Sequence, residues 1–282
     1  MSLLLDPRQR AMLAEMGVRT DFLPQPAADT PSATTAMAVP VASPKPAQSP
    51  TPAPVLAPPP QASATATRDS LPANVAQLDW EALQESVRDC QACGLCKTRK
   101  NTVFGVGAPP AGPGQAPRAD WLIVGEAPGE NEDLQGEPFV GQAGRLLDNM
   151  LKAIGLSRHA ATTLDKSVYI LNVLKCRPPG NRNPQPEETA QCAPFLERQV
   201  ALLQPRIIVA MGRFAVQALL KDSVPNVEAI PLGKLRGQVY HYRGVPVVVT
   251  YHPAYLLRSL AEKAKAWTDL CLALGLAGRP QD

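Results

Sequence analysis

Residues 121–154 contain, in this order, an apolar run, a long turn-rich segment and a helical pattern. The apolar run at 121–124 leads into residues 125–144, which contain five glycines, two prolines and five acidic residues. A helical pattern follows at 145–154. A buried strand, a glycine-rich turn and a helix in this order are typical of a ligand-binding loop at the carboxyl end of a sheet strand. The segment therefore favours folds in which helices connect the strands of a sheet.

The alternation of strand and helix continues to the end of the chain. Further strands are predicted at 168–173 and 206–212, and a hairpin at 238–242 and 245–250. The intervening helices are predicted at 79–88, 187–203, 214–220 and up to about residue 274, where Gly275 would end the last one. Such alternation favours an α/β fold, with a mostly parallel central sheet covered by helices on both faces. Functional loops should then gather at one edge of the sheet.

The first 75 residues differ in composition from the rest. Thirteen of the 31 prolines lie between Pro24 and Pro72, and Asp29 and Lys45 are the only charged residues from 22 to 67. We expect a short amphipathic helix at 1–20, a disordered Pro/Ala-rich linker at 21–75 and one folded domain at 76–282. The helix is either a vestigial extension or a docking peptide for a protein partner.

Charge and hydropathy narrow the classes of protein. A net charge of +3 gives no strong global field, so a polyanion would have to be bound by a local basic patch. Charged residues interrupt the N-terminal apolar run, and no stretch reaches the ~18 apolar residues of a membrane span. We expect a cytoplasmic monomer that contacts no membrane. Six cysteines in that compartment indicate a metal or redox role rather than disulfides.

Four cysteines have a spacing suited to one shared site. Cys90 and Cys93 form a C-x₂-C pair, Cys176 ends a strand, and Cys192 lies on the following helix. Two close and two distant thiolates suit either a 4Fe–4S cluster or a structural zinc ion. Cys96 has the same spacing from Cys93 and competes as a ligand. The sixth cysteine, Cys271, falls in the apolar register of the last helix and is predicted to be core.

Two polar residues at strand ends are candidates for ligand contacts. His252 follows the apolar strand at 245–250 and precedes a proline, so it should project towards the loops. It is either a functional group or a satisfied structural histidine. Asn172 lies in an apolar strand, where its amide must find partners. Those partners are either the edge of a ligand or the backbone.

Four motifs follow one another along the chain: Gly125-Glu-Ala-Pro-Gly129, Gly136-x-Pro-Phe-Val-Gly141, Asn172 with Lys175-Cys-Arg-Pro-Pro179, and His252-Pro-Ala-Tyr-Leu-Leu-Arg258. Together they resemble the family 4 uracil-DNA glycosylases, which are iron–sulfur repair enzymes of bacteria and archaea. The resemblance runs from about Cys90 to the C terminus. It implies a three-layer α/β/α sandwich and a monofunctional enzyme that flips uracil out of DNA and hydrolyses its N-glycosidic bond, leaving an abasic site.

The resemblance also implies roles for single residues. A 4Fe–4S cluster would be held by Cys90, Cys93, Cys176 and Cys192, leaving Cys96 free. Phe139 would stack on the flipped base and Asn172 would read its polar edge. An amide offers one donor and one acceptor face, which match O4 and N3–H of uracil but not the amine of cytosine.

Catalysis would use residues of the first and last motifs. His252 would donate a hydrogen bond where charge develops on the uracil O2. Better-known uracil glycosylases carry an Asp where this chain has Ala127, so Glu126 is the nearest carboxylate that could orient the water. Glu132 would exclude the thymine methyl group, because Gly129 stands where a bulky Tyr does so elsewhere.

Basic and apolar residues of the same motifs would contact DNA. Phosphate contacts are expected from Arg177, Arg182 and Arg258, together with Lys97, Arg99, Lys100 and Lys175. Leu256, with its neighbours Tyr255 and Leu257, would wedge into the gap left by the flipped base. Three alternatives remain open. They are a relative that traps uracil-DNA covalently, a non-catalytic iron–sulfur nucleic-acid or electron-transfer module, and a phosphate- or nucleotide-binding α/β enzyme.

Overall fold

The computed structural model describes residues 74–107, 112, 115–159 and 166–278. The helix predicted at 1–20 lies outside the described residues. So does the linker predicted at 21–75, apart from its last two residues. Within the described ranges, none of the helices is long and apolar enough to cross a membrane.

The strands of the described residues form one sheet of six, in the order β1-β3-β2-β4-β6-β5. They are β1 Val106–Gly107, β2 Trp121–Gly125, β3 Val168–Asn172, β4 Ile207–Met211, β5 Val239–Tyr242 and β6 Val245–Thr250. The four inner strands are parallel, and the edge strands β1 and β5 are antiparallel to their neighbours. This confirms the prediction of a mostly parallel sheet with a hairpin at one edge.

Helices cover both faces of the sheet. They are α1 Trp80–Asp89, α2 Glu130–Gln135, α3 Gln142–Ala153, α4 Pro186–Leu203, α5 Arg213–Leu220, α6 Leu232–Leu235, α7 Pro253–Arg258 and α8 Lys263–Ala277. Residues of α1, α4 and α5 form one core with every second residue of the inner strands. The helix α8 contacts β4 and β6 but contributes nothing to that core, so it covers the opposite face. The result is the expected three-layer α/β/α sandwich.

The inner strands are apolar because both of their faces are covered. All five residues of each of β2, β3 and β4 are buried, including the polar Asn172 at the end of β3. Continuous apolar runs of this kind are typical of parallel sheets between two helical layers. The carboxyl ends of β2, β3, β4 and β6 consequently meet at one edge of the sheet.

Three local predictions are wrong. Gly275 does not end the last helix, because α8 continues to Ala277. Cys271 of the same helix is exposed rather than core. The segment 125–144 is not turn alone, since it contains the short helix α2. The helix predicted at 79–88 is present as α1, and Asp79 caps it, because the Asp79 carboxylate accepts a hydrogen bond of 2.9 Å from the backbone N–H of Ala82.

Candidate active site and cysteine cavity

A cleft opens at the carboxyl edge of the parallel strands. The chain leaves β2 towards β3 on one side, and β4 lies on the other side, so the connections diverge at this edge. A crevice at such a divergence is the usual ligand site of an open α/β sheet. Residues from all of these connections line the cleft, among them Glu126, Ala127, Gly129, Glu132, Phe139, Asn172, Arg182, Arg213, His252, Tyr255 and Arg258. The first, second and last sequence motifs therefore meet in space.

Phe139 is held in the cleft by a strained backbone and two glycines. Its φ is +57°, which is uncommon for a bulky residue. A Cβ added at Gly125 would overlap the Phe139 ring, and one added at Gly144 would overlap the Phe139 carbonyl group. These two glycines are therefore needed for close approach. They fix the ring in a conformation that a free chain would avoid.

The Phe139 ring stacks on His252, with ring centroids 5.4 Å apart and an interplanar angle of 27°. A base inserted between two rings needs about 7 Å between them, twice the usual contact distance. A base that stacks on Phe139 must therefore use ring surface that His252 does not cover. The predicted stacking partner is in the cleft, but part of its surface is already occupied.

Asn172 faces the cleft with an unsatisfied amide oxygen. The residue is 2 % exposed, and its Oδ1 has no hydrogen-bond partner among the described residues. It is paired in register with Gly125, and a Cβ at that glycine would overlap Oδ1. Leaving a buried polar atom unpaired costs about 1–3 kcal/mol, so this oxygen is a strong acceptor for a ligand N–H group.

His252 is a neutral imidazole whose tautomer is fixed by the backbone. Burial, assisted by the positive charge of Arg258, lowers its pKa from 6.5 to about 4. Its Nδ1 accepts a hydrogen bond of 3.2 Å from the backbone N–H of Ala254, in the first turn of α7. Since the neutral ring carries one proton, that proton is on Nε2. The residue therefore presents an uncharged N–H donor.

Glu126 is a carboxylate with an environment unlike bulk water. Burial raises its pKa, and the positive charge of Arg213 opposes that rise. Arg213 begins α5 directly after β4 and was not among the predicted site residues. Its position after the end of a parallel strand is the signal that could have identified it, because loops at strand ends gather at one edge.

Glu132 and Ala127 line the cleft in different ways. The Glu132 carboxylate accepts hydrogen bonds from the backbone N–H groups of Gly129 and Val140, both at 3.1 Å, and of Gly141 at 3.3 Å. These bonds brace the loop on both sides of α2 and make Glu132 a clamp within the segment. Ala127, which also lines the cleft, packs against the apolar cluster around Cys176.

Two of the predicted DNA-contacting arginines, Arg182 and Arg258, line the cleft, and Arg182 and Arg177 have acidic or polar partners. Arg182 forms a two-pronged pair with Glu188 at 2.6 and 3.0 Å. Arg177 donates to Asn181 at 2.7 Å and lies 3.6 Å from Glu130. Arg258 is an exposed residue that lines the cleft at the end of α7. Lys97 and Lys100 are also exposed, next to the cysteine segment.

The predictions for Lys175, Arg99 and Leu256 are wrong. Lys175 is 1 % exposed, and its Nζ donates to the backbone O of Asn172 at 2.6 Å, so it cannot reach a phosphate. The guanidinium of Arg99 donates to Cys176 Sγ at 3.1 Å and to the carbonyl of Arg88 at 3.0 Å. Leu256 is fully buried, so it cannot insert into a duplex. Its neighbours Tyr255 and Leu257 are 38 % and 39 % exposed.

A second cavity lies behind the cleft and is lined by cysteines. Five cysteines contribute to its wall: Cys90, Cys93, Cys96, Cys176 and Cys192. Burial raises the pKa of the Cys176 thiol to about 11 and that of the Cys192 thiol to about 12. The predicted ligands are therefore brought together, and Cys96 faces the same space. Lys175 and Arg99 also line it.

The thiols lie around the wall of a cavity that could hold a metal group. Across the described residues, no three His, Cys, Asp or Glu side chains converge closely enough to hold a single metal ion. A zinc ion needs four sulfur atoms about 2.3 Å from one point, whereas an iron–sulfur cluster separates its cysteine ligands by its own width. The five cysteines of this wall are the candidate ligands for either group.

The sequence also matches known proteins. Residues 112–271, more than half of the chain, match the model of the uracil DNA glycosylase superfamily. A type-4 uracil-DNA glycosylase of Archaeoglobus fulgidus is 44 % identical over 184 residues, covering 63 % of this chain and 84 % of the relative. Type-4 uracil-DNA glycosylases of Saccharolobus solfataricus and Pyrobaculum aerophilum are 42 % identical over 182 residues (63 % and 76 % covered) and 40 % over 202 residues (70 % and 94 % covered).

The identities hold over most of each relative, and the motifs that carry the resemblance all line the cleft or the cysteine cavity. On these grounds the chain belongs to the type-4 uracil-DNA glycosylases of the uracil-DNA glycosylase superfamily.

Proposed function

We propose that the protein removes uracil from DNA by hydrolysing the N-glycosidic bond and leaves an abasic site for base-excision repair. The observation that carries this proposal is the pair of polar groups in the cleft. The unpartnered Asn172 Oδ1 and the neutral His252 are a hydrogen-bond acceptor and a donor beside an aromatic ring. A pyrimidine that carries both N–H and C=O groups complements such a site.

Recognition of uracil falls to Asn172 and Phe139. The Asn172 side chain accepts from N3–H and donates to O4 of a flipped uracil. Cytosine has no N3–H and carries an amine in place of O4, so it leaves the buried amide unpaired. The Phe139 ring supplies a stacking surface worth roughly 1–3 kcal/mol.

His252 stabilises the leaving base. As the glycosidic bond lengthens, negative charge builds up on the uracil O2 and positive charge on the sugar. The Nε2–H group donates to O2, and Ala254 N–H fixes the ring orientation from the other side. A fixed donor of this kind accounts for about 10²–10³ in rate in other enzymes.

Glu126 orients the water that attacks C1′ of the sugar. It is the carboxylate that follows β2 and lines the cleft beside Ala127. The neighbouring positive charge of Arg213 favours the ionised form of Glu126 against the effect of burial, and that negative charge also stabilises the positive sugar. No lysine is assigned to attack the sugar, which gives a monofunctional glycosylase without strand cleavage.

The DNA backbone binds at the rim of the cleft, and only the flipped uracil enters the cleft. Arg258 and Arg182, which line the cleft, bind phosphates together with Arg177, and the exposed Arg213 is a further cation that lines the cleft. The exposed Tyr255 and Leu257 replace Leu256 as the apolar groups nearest the flipped position. Binding should weaken with salt, because each phosphate contact releases counterions.

The cysteine cavity would hold a 4Fe–4S cluster on Cys90, Cys93, Cys176 and Cys192. Bound there, the group supplies a rigid link between segments that are far apart in sequence. Cys176 is joined by Arg99 to the segment that carries the first cysteines. That segment is in turn tied to α2, since Asp133 accepts hydrogen bonds from the backbone N–H groups of Lys100 at 2.9 Å and Asn101 at 3.2 Å.

The test is the release of free uracil from a single-uracil oligonucleotide, measured by chromatography beside oligonucleotides carrying cytosine or thymine. We expect release from the uracil substrate alone. Intact uracil-DNA after incubation with cluster-loaded protein would favour a non-catalytic binding module. A protein–DNA complex that survives boiling would favour covalent trapping over hydrolysis.

A further inference from the structure

The ammonium group of Lys175 lies at the end of the strand that carries Asn172. Lys175 is among the largest fully buried side chains of the described residues. Its Nζ donates to the backbone O of Asn172 at 2.6 Å, three residues earlier in the chain. Burying an ammonium group is costly unless it is paired, so the position calls for a reason beyond packing.

The sheet explains why Asn172 needs this donor. On one side of β3, the backbone N–H of Val173 donates to Gly125 O at 3.0 Å, which continues the pairing with β2. The carbonyl of Asn172 points the opposite way, towards β1, because successive residues of a strand alternate in direction. Within the described residues β1 pairs only with Tyr169 and Ile170 and does not reach Asn172. The Lys175 ammonium group supplies the hydrogen-bond donor that β1 does not supply to the Asn172 carbonyl.

The lysine is itself fixed from the cysteine side. It lines the same cavity as Cys176 and Cys192, and its backbone O accepts a hydrogen bond of 2.8 Å from Val103 N–H. The buried ammonium group is thereby held between the carbonyl of Asn172 and the wall of the cysteine cavity. The side chain therefore extends from the cysteine cavity to the backbone of the residue that faces the base.

We propose that Lys175 is a positioning residue for uracil recognition, which holds the end of β3 so that the Asn172 amide faces the base. This proposal rests on the function proposed above. The charge-assisted hydrogen bond to the Asn172 carbonyl fixes the peptide from which the amide projects. A shift of about 1 Å at such a residue can lower a rate by about 100-fold.

The experiment is a double-mutant cycle on the cluster-loaded protein. Single-turnover excision rates are compared for wild type, Lys175→Met, Asn172→Ala and the double variant. We expect Lys175→Met to slow excision about tenfold or more in wild type and less than about twofold in Asn172→Ala, because a positioning residue has nothing left to position there. Lys152→Met, on the exposed side of α3, is the matched control and should leave the rate unchanged.

A second readout separates recognition from folding. Binding of an oligonucleotide with an uncleavable uracil analogue should weaken in Lys175→Met, while visible absorbance, iron content and melting temperature stay close to wild type. Equal losses of rate in both backgrounds would overturn the proposal, as would an unchanged rate in Lys175→Met. If Lys175→Met is not recovered folded, Lys175→Gln enters the same cycle. Failure of both to fold would also overturn it, since the lysine would then serve folding. An inactive wild type would instead refute the glycosylase function.

Discussion

Burial determines the hydrogen bonding of Asn172 and the protonation of His252, the two polar residues that face the cleft. The Asn172 oxygen lacks a partner among the described residues, and His252 is neutral with its proton on Nε2. The unpaired Asn172 oxygen is unfavourable to stability and favourable to ligand binding, because a ligand that supplies the missing partner recovers the lost free energy. The two residues are therefore poised for a base with matching donor and acceptor groups.

The lowered pKa of His252 predicts a dependence of stability on pH. Since the folded-state pKa is about 4 and the ordinary value is 6.5, the folded protein binds fewer protons than the unfolded chain between these limits. The stability associated with neutral His252 is complete above pH 6.5 and is lost as the pH falls towards 4. His252→Gln should therefore lose less stability over this range than wild type, by on the order of 2 kcal/mol.

Chemical denaturation at pH 7 and at mildly acidic pH, in parallel for wild type and His252→Gln, measures this difference. His159→Gln is the control, because His159 is an exposed residue outside the cleft. Identical acid sensitivity of wild type and His252→Gln would contradict the assignment of a buried neutral histidine.

At this scale, the sequence predicted the location of some side chains and not of others. Asn172 and His252 could be identified because a polar residue at the end of an apolar strand is unusual and strand ends share one edge. Lys175 could not be assigned correctly, because a lysine among basic residues indicates an exposed cation until the fold shows its burial. The prediction for Leu256 was wrong for a related reason, since only the contacts of α7 decide which of three consecutive apolar residues faces inward.

At the scale of elements, the site depends on how closely β2, β3 and the segment 125–144 approach one another. Gly125 ends β2 in register with Asn172, and the Phe139 ring lies against the same position. The loop is held there by the Glu132 carboxylate, which bridges N–H groups on both sides of α2. The cleft is therefore shaped by backbone proximity as much as by its side chains.

Gly125→Ala tests this proximity. The added methyl group would overlap both Asn172 Oδ1 and the Phe139 ring, so one of them must move. We expect excision to fall by about 100-fold or more, with the melting temperature lowered by only a few degrees. Steady-state kinetics and thermal unfolding measure the two effects.

The matched control is Gly275→Ala in α8, where an added methyl group meets no described atom within 4 Å. It should leave activity unchanged and stabilise the helix by up to about 1 kcal/mol. Wild-type activity in Gly125→Ala would show that the cleft tolerates displacement of the amide or the ring.

The strands, the hairpin and the longer helices could be predicted because periodicity and apolar runs define them. The helix α2 was not predicted, since its six residues lie between glycines and carry five acidic or amide side chains in a segment typical of turns. The clamp formed by Glu132 depends on that helix. Its role could not follow from the sequence once the helix was missed.

On the scale of the whole molecule, the cleft and the cysteine cavity share one segment of chain. Asn172 lines the cleft, Lys175 and Cys176 line the cavity, and the chain returns to the cleft at Pro178. A substitution in the cysteine cavity should therefore alter the position of Asn172, which is only a few residues away along the chain. That cysteines distant in sequence gather at one place was predictable from their spacing, whereas the position of their cavity next to the segment that lines the cleft required the fold.

The cavity makes a prediction about metal content. Cys192→Ser should lower the bound iron and acid-labile sulfide of purified protein strongly, together with the visible absorbance, because a ligand of the cluster is lost. Cys271→Ser is the matched control, since Cys271 is exposed on α8. Wild-type iron content in Cys192→Ser would exclude that residue as a ligand, and loss of iron in Cys271→Ser would contradict the location of the site.

The most direct test of the central claim is the single-turnover rate of uracil release by wild type, His252→Ala and Asn172→Ala. We predict rapid release by wild type and a rate lowered by about 10²–10³ in His252→Ala, the usual effect of removing a fixed donor to developing charge. Asn172→Ala should be slowed as well and should discriminate less between uracil and cytosine. Full activity in both variants would contradict the claim that these two residues form the active site.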